Sequence, residues 1–204
     1  MKIGVRTPMR IGVLALQGAF ALHAKALARV RIDEAVESGE VRKPAALDDL
    51  DGLIIPGGES TTLLKLMEDW GFWPRIEKFH ASGHPIFGTC AGLILVARDV
   101  ENPRQRSLGL IDIGVERNAY GRQRESFEAA DDADLDGTKR LEMVFIRAPR
   151  IRRVGSAVSV LARYRDEPVM AREGSVLVAT FHPEMTDDPT VHAYFCRMAR
   201  RVVA

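Results

Sequence analysis

Pro85-Ile86-Phe87-Gly88-Thr89-Cys90-Ala91-Gly92-Leu93-Ile94-Leu95-Val96 joins two apolar runs through the pentapeptide Gly88-Thr89-Cys90-Ala91-Gly92. An apolar run that stops at glycine-flanked small residues and then resumes reads as a buried strand turning sharply into a helix. The glycines suit such an elbow, because a Cβ at either position would clash at the strained bend. Cys90 stands at the apex, where elbows of this spacing otherwise carry serine. Its sulfur would sit at the N-terminus of the following helix, whose dipole favours a negative charge. A free thiol titrates near about 8.5, so such help counts at neutral pH.

A nucleophile needs a base, and the base needs an orienting group. Val176-Leu177-Val178-Ala179-Thr180-Phe181 reads as a second buried strand, and it delivers His182-Pro183-Glu184 at its end. His182 and Glu184 can both face one pocket at the strand's carboxyl edge, where Glu184 would hold the imidazole in the tautomer that accepts a proton from Cys90. Taken singly, a lone cysteine reads as a small buried hydrophobe and a lone His-Pro-Glu as a turn. Together and in this order, they read as nucleophile and base.

The 204 residues fit a single domain, with residues 1–9 as a short N-terminal extension and residues 10–204 as the domain. Ile3-Gly4-Val5 is echoed by Ile11-Gly12-Val13, and Met9 is a second candidate start beside Met1. Hydrophobic residues make up 46% and charged residues 28%, the balance of a soluble globular chain. A net charge of +1 with scattered arginines argues against nucleic acid or a membrane surface as partner. No apolar run is long enough to cross a bilayer. Cys90 and Cys196 lie far apart, with no CxxC spacing and no secretory signal, which points to free thiols in a reducing cytoplasm. Cys196 falls in the amphipathic stretch Val191–Met198 and reads as packing. His23, His80, His84 and His192 have no metal-ligand spacing, so they read as helix or loop residues and no metal is expected.

Along the chain, Arg10 to Leu16 reads as a strand ending at Gln17-Gly18, followed by a helix from Phe20 to Glu37 and a short polar strand near Glu40 to Lys43. Leu53-Ile54-Ile55 reads as a buried strand left through Pro56-Gly57-Gly58. Helices follow over Thr61–Asp69, with Ser60 or Thr61 as N-cap, and over Arg75–Ser82. In the second half, Gly109–Arg117 and Met143–Ala148 read as strands, with the acidic stretch Glu125–Asp136 as a solvated loop and part of a sheet edge. Ala157–Tyr164 and Pro168–Arg172 pair as a hairpin around Arg165-Asp166-Glu167. Strands alternating with helices imply a parallel sheet covered on both faces, with functional groups at its carboxyl ends. Gln17, Gly57, Cys90 and His182 all fall just past such ends, so four loops should meet at one crevice.

With Pro56-Gly57-Gly58-Glu59-Ser60-Thr61, the Cys90 elbow and His182-Pro183-Glu184 in view, the chain resembles the class I, triad-type glutamine amidotransferases. Within them it is similar to the glutaminase subunits of pyridoxal 5'-phosphate synthase, from about Arg10 to the C-terminus. The strings that carry this branch are Leu14-Ala15-Leu16-Gln17-Gly18-Ala19, Val115-Glu116-Arg117-Asn118-Ala119-Tyr120-Gly121-Arg122-Gln123 with Ser126-Phe127-Glu128 behind it, and Phe145-Ile146-Arg147-Ala148-Pro149. The resemblance implies an α/β three-layer sandwich with a mostly parallel central sheet, the flavodoxin-like domain of class I glutamine amidotransferases. Two departures stand out: Leu22 precedes His23 where the family commonly has an acidic residue, and Ala28 to Val41 is longer and more polar than the family pattern.

The resemblance also implies roles. Cys90 is the nucleophile, His182 the general base and acid, and Glu184 its orienting partner; glutamine loses ammonia, and a γ-glutamyl thioester is hydrolysed. Ala91 and Gly58 supply oxyanion donors, and the Gln17-Gly18 peptide completes the hole when the synthase docks, leaving the free chain nearly silent. Gly58, Glu59, Ser60, Arg117, Ile146 and Arg147 hold the substrate. The partner implied is a barrel-shaped lyase subunit in a hetero-oligomer, which receives the ammonia through its interior. Pyridoxal phosphate is then that partner's product, and this chain needs no cofactor. Other readings keep the triad but change the pathway, as another amidotransferase subunit or a γ-glutamyl hydrolase; a non-catalytic regulatory subunit and a cysteine peptidase or stress-protein relative are further alternatives.

Overall fold

In the computed structural model, which describes residues 8–117 and 126–203 (the last three by backbone alone), the short apolar runs become strands. In chain order the elements are β1 (Met9–Leu14), α1 (Phe20–Arg29), β2 (Val36–Val41), β3 (Gly52–Ile55), α2 (Ser60–Asp69), α3 (Trp73–Ala81), β4 (Ile86–Thr89), α4 (Ala91–Val96), β5 (Ala97–Glu101), β6 (Ile111–Glu116), β7 (Ser126–Asp134), β8 (Thr138–Ile146), β9 (Arg150–Val154), β10 (Ser159–Tyr164), β11 (Glu167–Glu173), β12 (Val176–Ala179) and α5 (Thr190–Val203). Short 3₁₀ turns span Pro44–Asp49 and Pro183–Met185.

Among the described residues, nine strands form one sheet in the order β2-β1-β3-β4-β12-β11-β10-β7-β8, and β5-β6-β9 form a smaller one. From β2 to β12 every pairing is parallel; from β12 outward every pairing is antiparallel. The parallel part has the flavodoxin-like order, in which the chain reverses direction of travel between β1 and β3, and a crevice opens there at the carboxyl ends.

Helices cover both faces of this parallel part, which is why its strands read as continuous apolar runs. Successive side chains alternate between the layers. Ile54, Phe87 and Leu177 pack with Leu27 of α1 and Phe195 of α5. Leu53, Ile55, Ile86, Val176 and Val178 pack with Leu63 of α2, Ile76 and Phe79 of α3, and Leu93 of α4. The result is the expected three-layer α/β arrangement on a mixed sheet. No helix among the described residues is long and apolar enough to cross a membrane.

Several expected boundaries move. β1 begins at Met9, which is buried and paired with Val36, and not at Arg10. The helix expected over Phe20–Glu37 ends at Arg29; Val30 is extended at φ −60°, ψ 133°, and the segment beyond turns back to pair β2 with β1. β2 therefore lies at Val36–Val41 and not at Glu40–Lys43. Its pattern is illegible because it is an edge strand with four consecutive exposed residues. The acidic stretch expected as a solvated loop and part of a sheet edge is strand β7 from Ser126 to Asp134, paired with β8 from Ser126↔Ile146 to Asp134↔Thr138 and lying between β10 and β8. Phe127 stacks on Phe145 at 4.6 Å between ring centroids, while most of the acids point outward. Glu125 itself, and Asn118 to Gln123 of the branch string, lie outside the described residues. The β10–β11 hairpin turns at Arg165-Asp166, both at positive φ (48° and 65°), as a two-residue loop between twisted strands requires. Strands β5 and β9 were not expected; on a small sheet, β5 carries Arg98, Asp99 and Glu101 outward and β9 carries Arg152 and Arg153 outward.

Candidate active site

Cys90 links β4 to α4 with φ 46° and ψ −102°, a conformation that side-chain-bearing residues rarely adopt. Its N–H donates to the Ala179 carbonyl at 2.9 Å, which ties the bend to β12. The helix that follows crosses β3 so closely that a Cβ on Gly92 would run into the Ile55 carbonyl oxygen. These contacts hold the elbow, and they leave the thiol 3.9 Å from the Ile146 carbonyl.

His182 arrives from β12, and its backbone N–H donates to the Val144 carbonyl at 2.8 Å. Its Nδ1 lies 2.7 Å from Glu184 Oε1, and Cys90 bears on the same ring. All three side chains are at least nine-tenths buried. Burial alone would lower the His182 pKa, but the interactions with Cys90 and Glu184 outweigh it and push the pKa up. For Glu184, burial favours the neutral acid, yet its interactions with the His23 and His182 imidazoles prevail and hold its pKa below the ordinary carboxylate range. The expected constellation is thus assembled, with a carboxylate behind the imidazole.

The thiol opens into a cavity of about 290 Å³ lined by Gln17, Gly18, Gly57, Gly58, Glu59, Ser60, Arg117, Ile146, Arg147 and His182, together with Ala19, Ile94, Pro149 and Met185. Ligand pockets run from roughly 300 to 1,000 Å³, so this one suits an amino acid better than a nucleotide. A larger groove of about 690 Å³ over β5, β6 and β9 is lined by arginines and acids without a nucleophile or histidine.

Every expected substrate or oxyanion residue borders this cavity except Ala91, which follows Cys90 as the first residue of α4 and therefore has no helical acceptor for its N–H. Gln17 Oε1 accepts from the Glu59 N–H at 3.0 Å, and Ala19 N–H donates to the Gly57 carbonyl at 3.0 Å, binding the Gln17-Gly18 loop to the Gly57-Gly58 turn. Ser60 Oγ donates to Gln105 Oε1 at 3.0 Å. Arg147 is exposed at φ 42°.

The N-cap of α2 is Glu59, not Ser60 or Thr61. Its carboxylate accepts from Thr61 N–H at 3.2 Å and Thr62 N–H at 2.8 Å, and from both threonine hydroxyls. Burial opposes ionisation there, but these hydrogen bonds hold the pKa at about 2. The same carboxylate stands 3.7 Å from Arg117 Nη2, and Arg117, at 8% exposure, is buried at the cavity wall.

Sequence reasoning missed His23 and His192. Both are fully buried behind Glu184, on α1 and α5. A signal existed: His23 falls on the same helical face as Ala26 and Leu27, at i+3 and i+4, so an imidazole was aimed inward.

Fold and crevice define a class of proteins: an α/β domain with a Cys-His-Glu constellation at the carboxyl ends of its parallel strands. Residues 13–201 match the SNO glutamine amidotransferase family, and the chain belongs to that family. It is 51% identical over 187 residues to the pyridoxal 5'-phosphate synthase subunit PdxT of Pelotomaculum thermopropionicum, covering 92% of this chain and 93% of that protein. It is 52% identical over 192 residues to the subunit of the same name from Koribacter versatilis, covering 94% and 96%. A crystal structure of a glutamine amidotransferase matches with a TM-score of 0.84 at 48% identity, covering 93% of this chain and 98% of the other. A chain of PurLQS from Thermotoga maritima shares the fold at a TM-score of 0.65 and 16% identity, covering 97% and 98%.

Proposed function

We propose that this chain hydrolyses L-glutamine to L-glutamate and ammonia, and that the ammonia feeds a partner subunit of pyridoxal 5'-phosphate synthase. The observation that carries the reading is the strained Cys90 elbow with His182 and Glu184 in line behind it, at the floor of an amino-acid-sized cavity. Similarity to synthase subunits over nine-tenths of the chain supports the partner.

Cys90 Sγ attacks the side-chain amide carbon, and its proton passes to His182. His182⁺ then returns the proton to the departing nitrogen as the C–N bond breaks, releasing ammonia and leaving a γ-glutamyl thioester. Water, deprotonated by His182, adds to the thioester; the C–S bond breaks and glutamate leaves. Glu184 stabilises the imidazolium at each stage. The oxyanion is met by the N–H groups of Ala91 and Gly58, with the Gln17-Gly18 peptide completing the hole on docking of the partner. Arg117 grips the substrate carboxylate and Glu59 lies beside it for the ammonium, while Ser60, Ile146 and Arg147 shape the cavity walls. The partner is a barrel-shaped lyase in a cytoplasmic hetero-oligomer, and pyridoxal phosphate is its product.

The test is ammonia release from glutamine by the purified chain, alone and with the synthase subunit, with Cys90→Ala as blank. Release that requires the partner and vanishes in the variant is expected. Strong release by the chain alone would point to a free-standing γ-glutamyl hydrolase, and none in either case would overturn the reading.

A further inference from the structure

Behind the triad lies a buried line of polar groups drawn from four elements. Glu184 presents Oε1 to His182, and its other oxygen, Oε2, makes no hydrogen bond among the described residues. His23 Nε2 stands 3.5 Å from that oxygen and 3.1 Å from Thr89 Oγ1. His23 Nδ1 in turn lies 2.9 Å from His192 Nε2. The side chains of His23 and Glu184 are fully enclosed, and His192 is fully buried too. The groups facing His23 are thus Glu184 and His182 from the segment after β12, His192 from α5, and Thr89 and the Phe87 ring from β4.

Two considerations choose the tautomer. With its proton on Nδ1, His23 would turn a lone pair toward a carboxylate, and His192 would be left with an N–H on Nδ1, which has no partner. With its proton on Nε2, His23 donates to Thr89 Oγ1 at 3.1 Å and turns the same N–H dipole toward Glu184 Oε2 at 3.5 Å, while His192 Nε2–H donates to His23 Nδ1. The remaining orphan is then a lone pair, a smaller penalty than a buried unpaired donor. Burial lowers the pKa of both imidazoles, His192 to about 3, so the pair is neutral.

We propose that His23 is a positioning residue of the triad: neutral and protonated on Nε2, with the tautomer set by His192, it holds Glu184 ionised and turned toward His182. At 3.5 Å the contact acts as a dipole on a charge more than as a strong hydrogen bond. The proposal rests on the glutaminase reading for the reaction that the triad performs, but its main tests do not need turnover.

The first test is imidazole ¹⁵N NMR of the unmodified free chain. A proton on Nε2 of His23 near neutral pH is expected; a proton on Nδ1, or an imidazolium, would overturn the proposal whatever the variants do. The second is the pH profile of Cys90 alkylation by iodoacetamide in the free chain, with Cys90→Ala as blank. His23→Leu should move the midpoint to higher pH, because a less firmly held carboxylate supports the imidazolium and its thiolate less well. His23→Gln, whose amide N–H can reach the Nε2 position, should restore it. A profile unmoved in His23→Leu, or a glutamine variant that behaves like leucine, would reduce His23 to packing. With the synthase partner present, His23→Leu should lower kcat for glutamine about tenfold with KM unchanged. If the unmodified chain releases no ammonia even with the synthase partner present, the glutaminase reading fails, while the ¹⁵N and alkylation results still decide the role of His23.

Discussion

The backbone of Gly57 lies directly against the imidazole of His182: a Cβ placed on Gly57 would collide with His182 Cε1, stand 3.0 Å from its Nδ1 and come within 3.3 Å of Cys90 Cβ. The β3 loop therefore sets where the base can sit relative to the nucleophile. Gly57→Ala should displace the ring and lower kcat by about 100-fold, since misplacement of a catalytic group by about 1 Å costs that much. Steady-state glutaminase rates with the partner, alongside a circular dichroism spectrum showing the fold intact, would check it.

Glu184→Gln keeps the shape and removes the charge. His182 loses the carboxylate that helps raise its pKa, so the imidazolium-thiolate pair weakens. We expect the alkylation midpoint of Cys90 to move to higher pH and kcat to fall about 10- to 100-fold. An unchanged alkylation profile would mean that Glu184 does not act on the ring.

Arg117 is buried at the cavity wall, with its Nη2 a loose 3.7 Å from Glu59. Arg117→Ala should raise KM for glutamine at least about tenfold, by removal of a charge-assisted grip on the carboxylate. Arg117→Lys should recover only part, because an ammonium cannot make the planar two-point contact. Isothermal titration of glutamine into the Cys90→Ala background would report the same loss without turnover.

Glu59 caps α2, so Glu59→Ala should cost about 1 kcal/mol of stability in denaturant melts near neutral pH. The sign with pH follows from its depressed pKa. An anion favoured in the folded state stabilises above the unfolded-state value and loses that effect as pH falls through the folded-state value. The gap between the unmodified chain and Glu59→Ala should therefore be full above about pH 5 and close as pH falls toward about 2. The carboxylate is half exposed, so the size of the effect is trimmed by solvent screening.

Much of the fold and site was legible because it is written locally. Leu53-Ile54-Ile55, Ile86-Phe87 and Val176 to Ala179 are apolar at every position, the mark of strands buried on both faces, and the residues just past their ends are the ones that meet in the cavity. The polar strands were not legible. β2 shows four consecutive exposed residues, and the acids of β7 hide a strand whose inward face is marked by Phe127, Ala129 and Ala133, too sparse to stand out. Such strands are held by pairing with neighbours distant in sequence, and local composition carries little trace of that. The cap of α2 was misplaced by a residue because Glu59 reads equally as a first-turn acid.

The sequence by itself determined the elbow, the order of nucleophile and base, and the family, since each depends on residues a few positions apart whose spacing imposes a geometry. Only the tertiary structure decided which helix faces look at the triad. His23 and His192 are 169 positions apart, and nothing in either helix says that they meet at 2.9 Å behind Glu184. Packing of α1 and α5 on one face of the sheet brings them together, and burial in that layer keeps their imidazoles neutral and fixed beside the charge.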